Sequence, residues 1–479
     1  MSFSHRYLIT LLSSVIRAGL NFFVSVSVAK YFMPELYGEY EYILSILTAA
    51  LLFMNMGTEQ AYFTFIAKKK QHFKFHLYYF SWQFLQIVFL FLFIISINKD
   101  AYHFIFKDVK IDLVIIALVA LFFSGNIQNS INHMVESIRK TNYTMILSII
   151  MALLHLVLIL IFLNANILNI KILFQVVLFE YILYAFIILF LFKNYRFEIF
   201  SNDKFSFIEM VGKFYIYSKP LFLLAIFVFI YTFIDRWIIQ TYIGAKAQAY
   251  FAISMKFSTL TILITSSILK IFWKEISESI ERGDIEKTKK YFKIVSENLF
   301  VFTTVVSSTL FFFSDSILNY FYSDTYQEAS LVFKLIMLYP IFQSMGQLYA
   351  SFCYASAQTK LYSNVAYFTL TFGIIISMVI LSNFALKIGI VGFAIKLLIM
   401  SCLSVLILEY HILKFLQVKT NHLYKGRSVV MIFSMSYLVY LTQVWFNFPF
   451  LVQVLLVSCL YVVPVGVYLF KVLKKELNI

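Results

Sequence analysis

Apolar residues run along this chain in stretches of about 20, the length at which a helix crosses roughly 30 Å of hydrocarbon, and each stretch is closed by a short polar or charged break. Fourteen such stretches lie near residues 8–29, 40–66, 77–98, 112–135, 143–163, 171–192, 215–240, 249–273, 292–313, 331–356, 363–384, 389–412, 428–446 and 450–470. The longest break on one side of the expected membrane, about Ser314 to Ser330, is too small for a catalytic domain. The longest on the other, Lys193 to Lys213, reads as a linker. The pattern predicts an all-α polytopic membrane protein of about 14 transmembrane helices.

A weak repeat divides them. Lys30 to Ile43 follows the first span and Gln240 to Ile253 the seventh. At an offset of 210, Tyr40 meets Tyr250 and Ile43 meets Ile253, with Pro34 and Gly244 marking a tight turn at the same place. An even number of spans per half makes the repeats parallel, related by an axis along the membrane normal. The expected organisation is an N-terminal six-helix lobe at 1–192 and a cytoplasmic linker at 193–214. A C-terminal six-helix lobe at 215–412 follows, then two additional helices and a cytoplasmic tail at 413–479. The two lobes are expected to enclose a central cavity.

Composition narrows the class further. Of 479 residues 61% are hydrophobic and 13% charged, with a mean hydropathy of +0.84; a soluble domain does not read this way. A net charge of +15 raises nucleic acid as a partner, but the charge lies in short loops between spans and none is expected. With the amino terminus inside, the inside segments hold 24 Lys and Arg and the outside segments seven, which puts both termini in the cytoplasm. Eight of the 39 basic residues remain within or bordering spans: Arg17, Lys219, Arg236, Lys256, Lys270, Lys274, Lys334 and Lys396. The cysteines Cys353, Cys402 and Cys459 lie in apolar segments without metal-ligand spacing and read as packed small hydrophobes. His5-Arg6 leads into a full-length first span, so no cleaved signal is expected.

A charge at the bilayer centre costs about 2.5–3.5 kcal/mol on insertion scales, which makes each such residue a functional candidate. Lys270 and Lys274 follow Lys256 by 14 and 18 residues. That is nearly one helical face, with Lys256 and Lys270 about 21 Å apart in depth. Either they form a cation ladder for an anion, or Lys270 and Lys274 snorkel to the interface. Arg17 shares a polar face with Ser14, Asn21 and Ser25; Glu59, in span two, either pairs with Arg17 or takes up a proton. Asp235 and Arg236 either neutralise each other or leave Arg236 reaching the outer interface. Lys334 sits at an outer interface, while Lys396 and Glu180 have no partner evident in the sequence. Span four shows Asn126, Asn129, His133 and Glu136 on one stripe, and span ten shows Gln343, Gln347 and Ser351. Amides donate and accept as sugar hydroxyls do, so these stripes are walls for a glycan or interhelical hydrogen bonds. No GxxxxGK[ST] loop or HExxH is present. Neither ATP nor a metal or other cofactor is expected, and coupling to H⁺ or Na⁺ stays open.

Several short motifs carry a family resemblance. Pro34-Glu-Leu-Tyr-Gly38, Met56-Gly-Thr-Glu-Gln60 and Phe65-Ile-Ala-Lys68 are followed by Asp235-Arg236 and Tyr250-Phe-Ala-Ile-Ser-Met-Lys256. Gly283-Asp284 and Ala357-Gln-Thr-Lys360 come later. In this order and spacing they resemble bacterial polysaccharide-biosynthesis flippases of the multidrug/oligosaccharidyl-lipid/polysaccharide exporter superfamily, and within it the O-antigen (Wzx-type) flippases. The resemblance implies two six-helix lobes in a V shape, alternating access and an undecaprenyl-diphosphate oligosaccharide as cargo. It also implies a cationic central cavity, onto which Arg17, Arg236 and Lys256 are carried. Where family members often have proline at the end of span eight, this chain has Phe272-Trp273, which puts a bend there in doubt.

On this reading Arg17, Arg236, Lys256 and Lys270 bind the substrate diphosphate. Asn21, Asn126, Asn129, His133, Gln343 and Gln347 contact the glycan, and Glu59, Asp235 and Glu180 are the coupling carboxylates. Besides that lipid-linked oligosaccharide, the expected partners are membrane lipid and polysaccharide polymerase machinery. A drug antiporter of the same superfamily is the nearest rival and favours an acidic cavity; a polymerase needs a longer outward loop. Charge reversal of Arg17 or Lys256 is expected to abolish export while the protein still inserts, measured by lipid-linked oligosaccharide reaching the outer leaflet. Wild-type transport by both variants would discard the assignment.

Overall fold

The computed structural model describes residues 3–68, 73–138, 140–192, 207–322, 324–380, 388–418, 422–446 and 449–457, with residues 464 and 467. Among these every regular element is helical, and they divide into two compact units, Met1–Gln240 and Thr241–Ile479. Residues 193–206 of the expected linker and most of the fourteenth expected span lie outside the described residues.

Unit 1 opens with α1 (Phe3–Asn55), which holds the first expected span and the start of the second. The helix is broken at Met33 (φ 61°, ψ 168°), immediately before Pro34. Proline supplies no N–H and crowds the helical conformation of the residue before it, so the break falls where the turn was expected. A second break at Met56 and Gly57, both at positive φ, separates α2 (Thr58–Lys68). The chain continues through α3 (Phe73–Ser96), α4 (Lys99–Phe106), α5 (Ile111–Phe122), a π turn at Phe123–Ile127 and α6 (Gln128–Ser137). Then follow α7 (Thr141–Asn164), α8 (Ile170–Leu191) and α9 (Phe207–Ile238). Packing is densest where α1 lies against α7 and α9, and where α5 meets α8. The seventh expected span, α9, is thereby held in unit 1.

Unit 2 holds α10 (Ala245–Glu281), α11 (Ile285–Phe312), α12 (Ser314–Tyr322), a 3₁₀ turn (Asp324–Ala329), α13 (Ser330–Ile336) and α14 (Tyr339–Ala355). It ends with α15 (Thr359–Ile380), α16 (Ile390–Leu416), α17 (His422–Phe446) and α18 (Phe450–Val457). Its core, led by Phe272, Phe292, Tyr349 and Phe352, draws on α10, α11, α14, α15 and α16. Helix α10 is continuous through Phe272-Trp273, as the missing proline allows. Cys353 is buried in this core as a small hydrophobe; Cys459 lies outside the described residues.

Ten helices among the described residues are long and apolar enough to cross a membrane. The expected count of 14 differs for identifiable reasons. The first two expected spans merge within Leu12–Asn55, and the thirteenth is represented by the shorter apolar stretch Gly426–Thr442. The eighth lies in α10 and the fourteenth is described only at its start. The 20-residue window also passes over α4 and α12, of eight and nine residues, which fill segments expected outside the membrane. Large apolar side chains such as Phe84, Phe186 and Ile216 stand well exposed, as lipid-facing surfaces require.

The repeat has a backbone counterpart. Met33 and Gly244 (φ 109°, ψ 171°) break their helices with the same extended, positive-φ geometry, 211 residues apart. The π turn at Phe123–Ile127 falls, at the offset of 210, on the region where α13 gives way to α14. There Pro340 lacks the N–H that would bond to Ile336.

Gly57 sits at φ +77°, and a Cβ placed on it would lie 2.6 Å from Leu221 Cδ1 and 2.9 Å from Leu221 Cβ on α9. Gly57→Ala is therefore expected to destabilise unit 1 by about 2 kcal/mol, combining overpacking with a left-handed backbone. Gly125→Ala, whose Cβ meets nothing within 4 Å, should leave the melting temperature in detergent unchanged or raised. Equal melting of the two variants would refute the clamp.

Candidate functional site

The break between α1 and α2 organises the polar interior of unit 1. Asn55 lies at the end of α1, and its Oδ1 accepts from Thr58 Oγ1 and the Glu59 backbone N–H, both at 3.0 Å. Its Nδ2 donates to Glu59 Oε2 at 2.8 Å. The other carboxylate oxygen, Oε1, lies 3.1 Å from His133 Nε2 on α6. Glu59 is thus held between the helix break and α6. His133 stacks on Phe63 at 4.6 Å, and its Nδ1 is 4.0 Å from Glu136 Oε2.

Behind this pair a buried polar layer joins α2, α3 and α6. Tyr62 and Tyr79 stack at 3.9 Å, and the Tyr62 hydroxyl bonds His76 Nδ1 at 2.5 Å. Gln83 Nε2 donates to Tyr79 Oη at 3.0 Å and to Ser130 Oγ at 2.8 Å; Ser130 in turn donates to the Asn126 carbonyl. The expected stripe on span four is therefore split. Asn129 and Glu136 are exposed, His133 is partly buried, and Asn126, in the π turn, is buried in this layer.

The remaining candidates of unit 1 lie on other helices. Glu180 on α8 is buried and bonds His155 Nδ1 of α7 at 2.9 Å. Arg17 is partly buried on α1 and acts electrostatically on Tyr181 and Tyr184 of α8; Asn21 on the same helix is exposed. Arg236, at the end of α9, interacts with the buried Glu41 of α1 ahead of its neighbour Asp235. Glu41 falls at the start of the second expected span and is not among the candidates the sequence supplied.

In unit 2, Lys256 is partly buried on α10; Lys270 is on the same helix, its side chain outside the described residues. On α14, Gln343 Oε1 accepts from the Tyr339 hydroxyl at 2.8 Å, and Gln347 is partly buried one turn on. Two cations find partners the sequence did not reveal. Lys396 on α16, only 2% exposed, donates to Ser377 Oγ of α15 at 2.6 Å. Lys334 bonds Asp315 of α12 at 2.6 Å instead of reaching only for the interface. The buried Glu409 faces Tyr349 within the core, a pairing with no signature in the sequence.

Comparison with known proteins gives the fold a context. A family model described as polysaccharide biosynthesis protein matches residues 5–272. Among curated proteins none matches the sequence. Among solved structures, the lipid II flippase MurJ in an inward closed conformation is similar at a TM-score of 0.73 and 18% identity, over 98% of this chain and 100% of that one. An inward-facing multidrug resistance MATE family transporter of the MOP superfamily gives a TM-score of 0.65 at 13% identity, over 86% of this chain and 100% of that one. A MOP superfamily transporter from Pyrococcus furiosus, described as having a binding pocket of reverse polarity, gives 0.57 at 13% identity, over 86% of this chain and 95% of that one. At such identities the likeness is one of fold.

The buried pair offers a direct test of how the polar groups are held. His155→Ala strips Glu180 of its partner and is expected to cost roughly 3 kcal/mol. Adding Glu180→Gln should recover much of that loss, because the stranded charge is gone. Melting curves of the two single variants and the double variant check this; full additivity would show that the two residues do not act together.

Proposed function

This chain belongs to the polysaccharide biosynthesis protein family, and on that premise we propose that it is a flippase. Its cargo is an undecaprenyl-diphosphate-linked oligosaccharide, an O-antigen or capsule repeat unit, carried from the cytoplasmic to the periplasmic leaflet of the inner membrane. Both termini face the cytoplasm. The physical task is to pass a charged, sugar-bearing head through about 30 Å of hydrocarbon while its lipid tail stays there. Basic side chains within the spans replace the hydration of the diphosphate, for which arginine's planar fork suits two-point contact. Arg17, Arg236, Lys256 and Lys270 take this role, with Asn21, Asn129, His133, Gln343 and Gln347 toward the glycan; Asn126, buried in the polar layer of unit 1, does not. The cycle is alternating access, which exposes the head to one leaflet at a time. With the inside negative, outward transfer of the anion gains about 2.3 kcal/mol per charge per 100 mV.

The observation that carries this reading is the family match over residues 5–272. The fold shared with a lipid II flippase along almost the whole chain supports it. The released oligosaccharide would pass to polysaccharide polymerase machinery on the outer face.

Deleting the gene tests the proposal. Unpolymerised lipid-linked repeat units are expected to accumulate on the cytoplasmic face of the membrane. Accumulation on the outer face would point to a polymerase or ligase and overturn the flippase reading.

A further inference from the structure

We propose that His133, held between Glu59 and Glu136, is a proton-binding site that couples proton movement to transport; as coupling, this rests on the transport reading above. The argument begins with hydrogen-bond direction. With Glu59 as a carboxylate, which only accepts, the 3.1 Å contact between His133 Nε2 and Glu59 Oε1 has its hydrogen on Nε2. In the neutral ring the lone pair is then at Nδ1, which is buried and makes no hydrogen bond. Glu136 Oε2 stands 4.0 Å from that nitrogen, and its side chain is 50% exposed. A proton arriving by Glu136 adds to the Nδ1 lone pair, making an imidazolium flanked by two carboxylates, and leaves from the same atom. Only an N–H bond forms or breaks.

The surroundings favour a proton over sodium. Glu59 is held by an amide N–H₂ and a ring N–H, both donors, whereas hard cations require a shell of oxygen ligands. The Asn55 oxygen is already engaged by Thr58 and the Glu59 backbone. An independent sign of a hydrated interior lies in the adjoining layer. Gln83 Oε1 and Asn126 Nδ2 are unbonded, in residues 1% and 7% exposed, and water is what normally satisfies such atoms.

Among the ionisable groups packed around the site, Tyr79 of α3 interacts electrostatically with Glu59, and Arg17 of α1 acts on Tyr181 and Tyr184 of α8. On α3, His76 bonds Tyr62, and Tyr79 receives Gln83. On α9, Lys213 bonds Glu209 and Lys219 stands 5.9 Å over the Tyr215 ring. On α8, Tyr184 donates to Asn132, and Glu180 is held by His155 of α7. Because Glu59 begins α2 and His133 lies on α6, a proton tightens the bond between those helices beside the break at Gly57. Its departure loosens that bond, giving the two occupancies different preferred arrangements.

The test uses full-length protein in lipid without cargo. Infrared difference spectra between about pH 5 and pH 8, where imidazole ordinarily titrates, should contain a histidine contribution that His133→Gln removes. Glu136→Gln, at an exposed position, should keep that contribution but slow proton uptake after a pH jump about tenfold or more. An unaltered spectrum in His133→Gln, an unaltered rate in Glu136→Gln, or a wild-type change that sodium reproduces at constant pH overturns the proposal. No substrate enters the measurement, so its failure leaves the cargo assignment intact, and a different cargo leaves this site standing.

Discussion

Hydrocarbon offers no hydrogen bonds, so a polar group inside the membrane has only other groups of the protein, or water held among them, to turn to. That constraint governs where the helices of each unit can sit. Glu180 fixes α8 against α7 through His155, and Lys396 fixes α16 against α15 through Ser377. Asn55, Glu59 and His133 tie the α1–α2 break to α6. Between apolar helices in lipid, packing alone gives little rotational preference, since tails are as apolar as leucine. The polar pairs supply the rotation that hydrophobicity cannot.

This explains what was readable beforehand. The existence of the spans was legible because run length alone decides it, and the breaks at Pro34 and Gly244 were legible from residue type. The short helices α4 and α12 were not, being under half the length of a span. The π turn was hidden too, since Phe123–Ile127 contains no proline to announce it. Charged residues within the spans could be picked out from the sequence, but their partners could not. His155 and Glu180 are 25 positions apart on separate helices. In a helix apolar on nearly all sides, periodicity does not say which way a lone polar residue points. Glu59 and His133 are 74 positions apart on separate helices, and the break at Met56–Gly57 that turns the start of α2 toward α6 is what brings them together.

The weak sequence repeat gains weight from the backbone. Two aligned tyrosines and isoleucines are little on their own. Matching positive-φ breaks at Met33 and Gly244, and matching irregularity in spans four and ten, are harder to produce without common ancestry of the halves. Interrupted helices also expose backbone carbonyls where continuous ones do not, which is why such spans border ion and substrate pathways in transporters.

The closure of unit 1 upon itself bears on how the chain is made. Its principal contacts, α1 with α7 and α9 and α5 with α8, join residues that are all synthesised by position 240. The amino-terminal half can therefore bury Glu180 and Glu59 against their histidines while unit 2 is still being synthesised. Charged groups that would be a hazard during insertion are neutralised early, and the second half enters the membrane beside a finished neighbour.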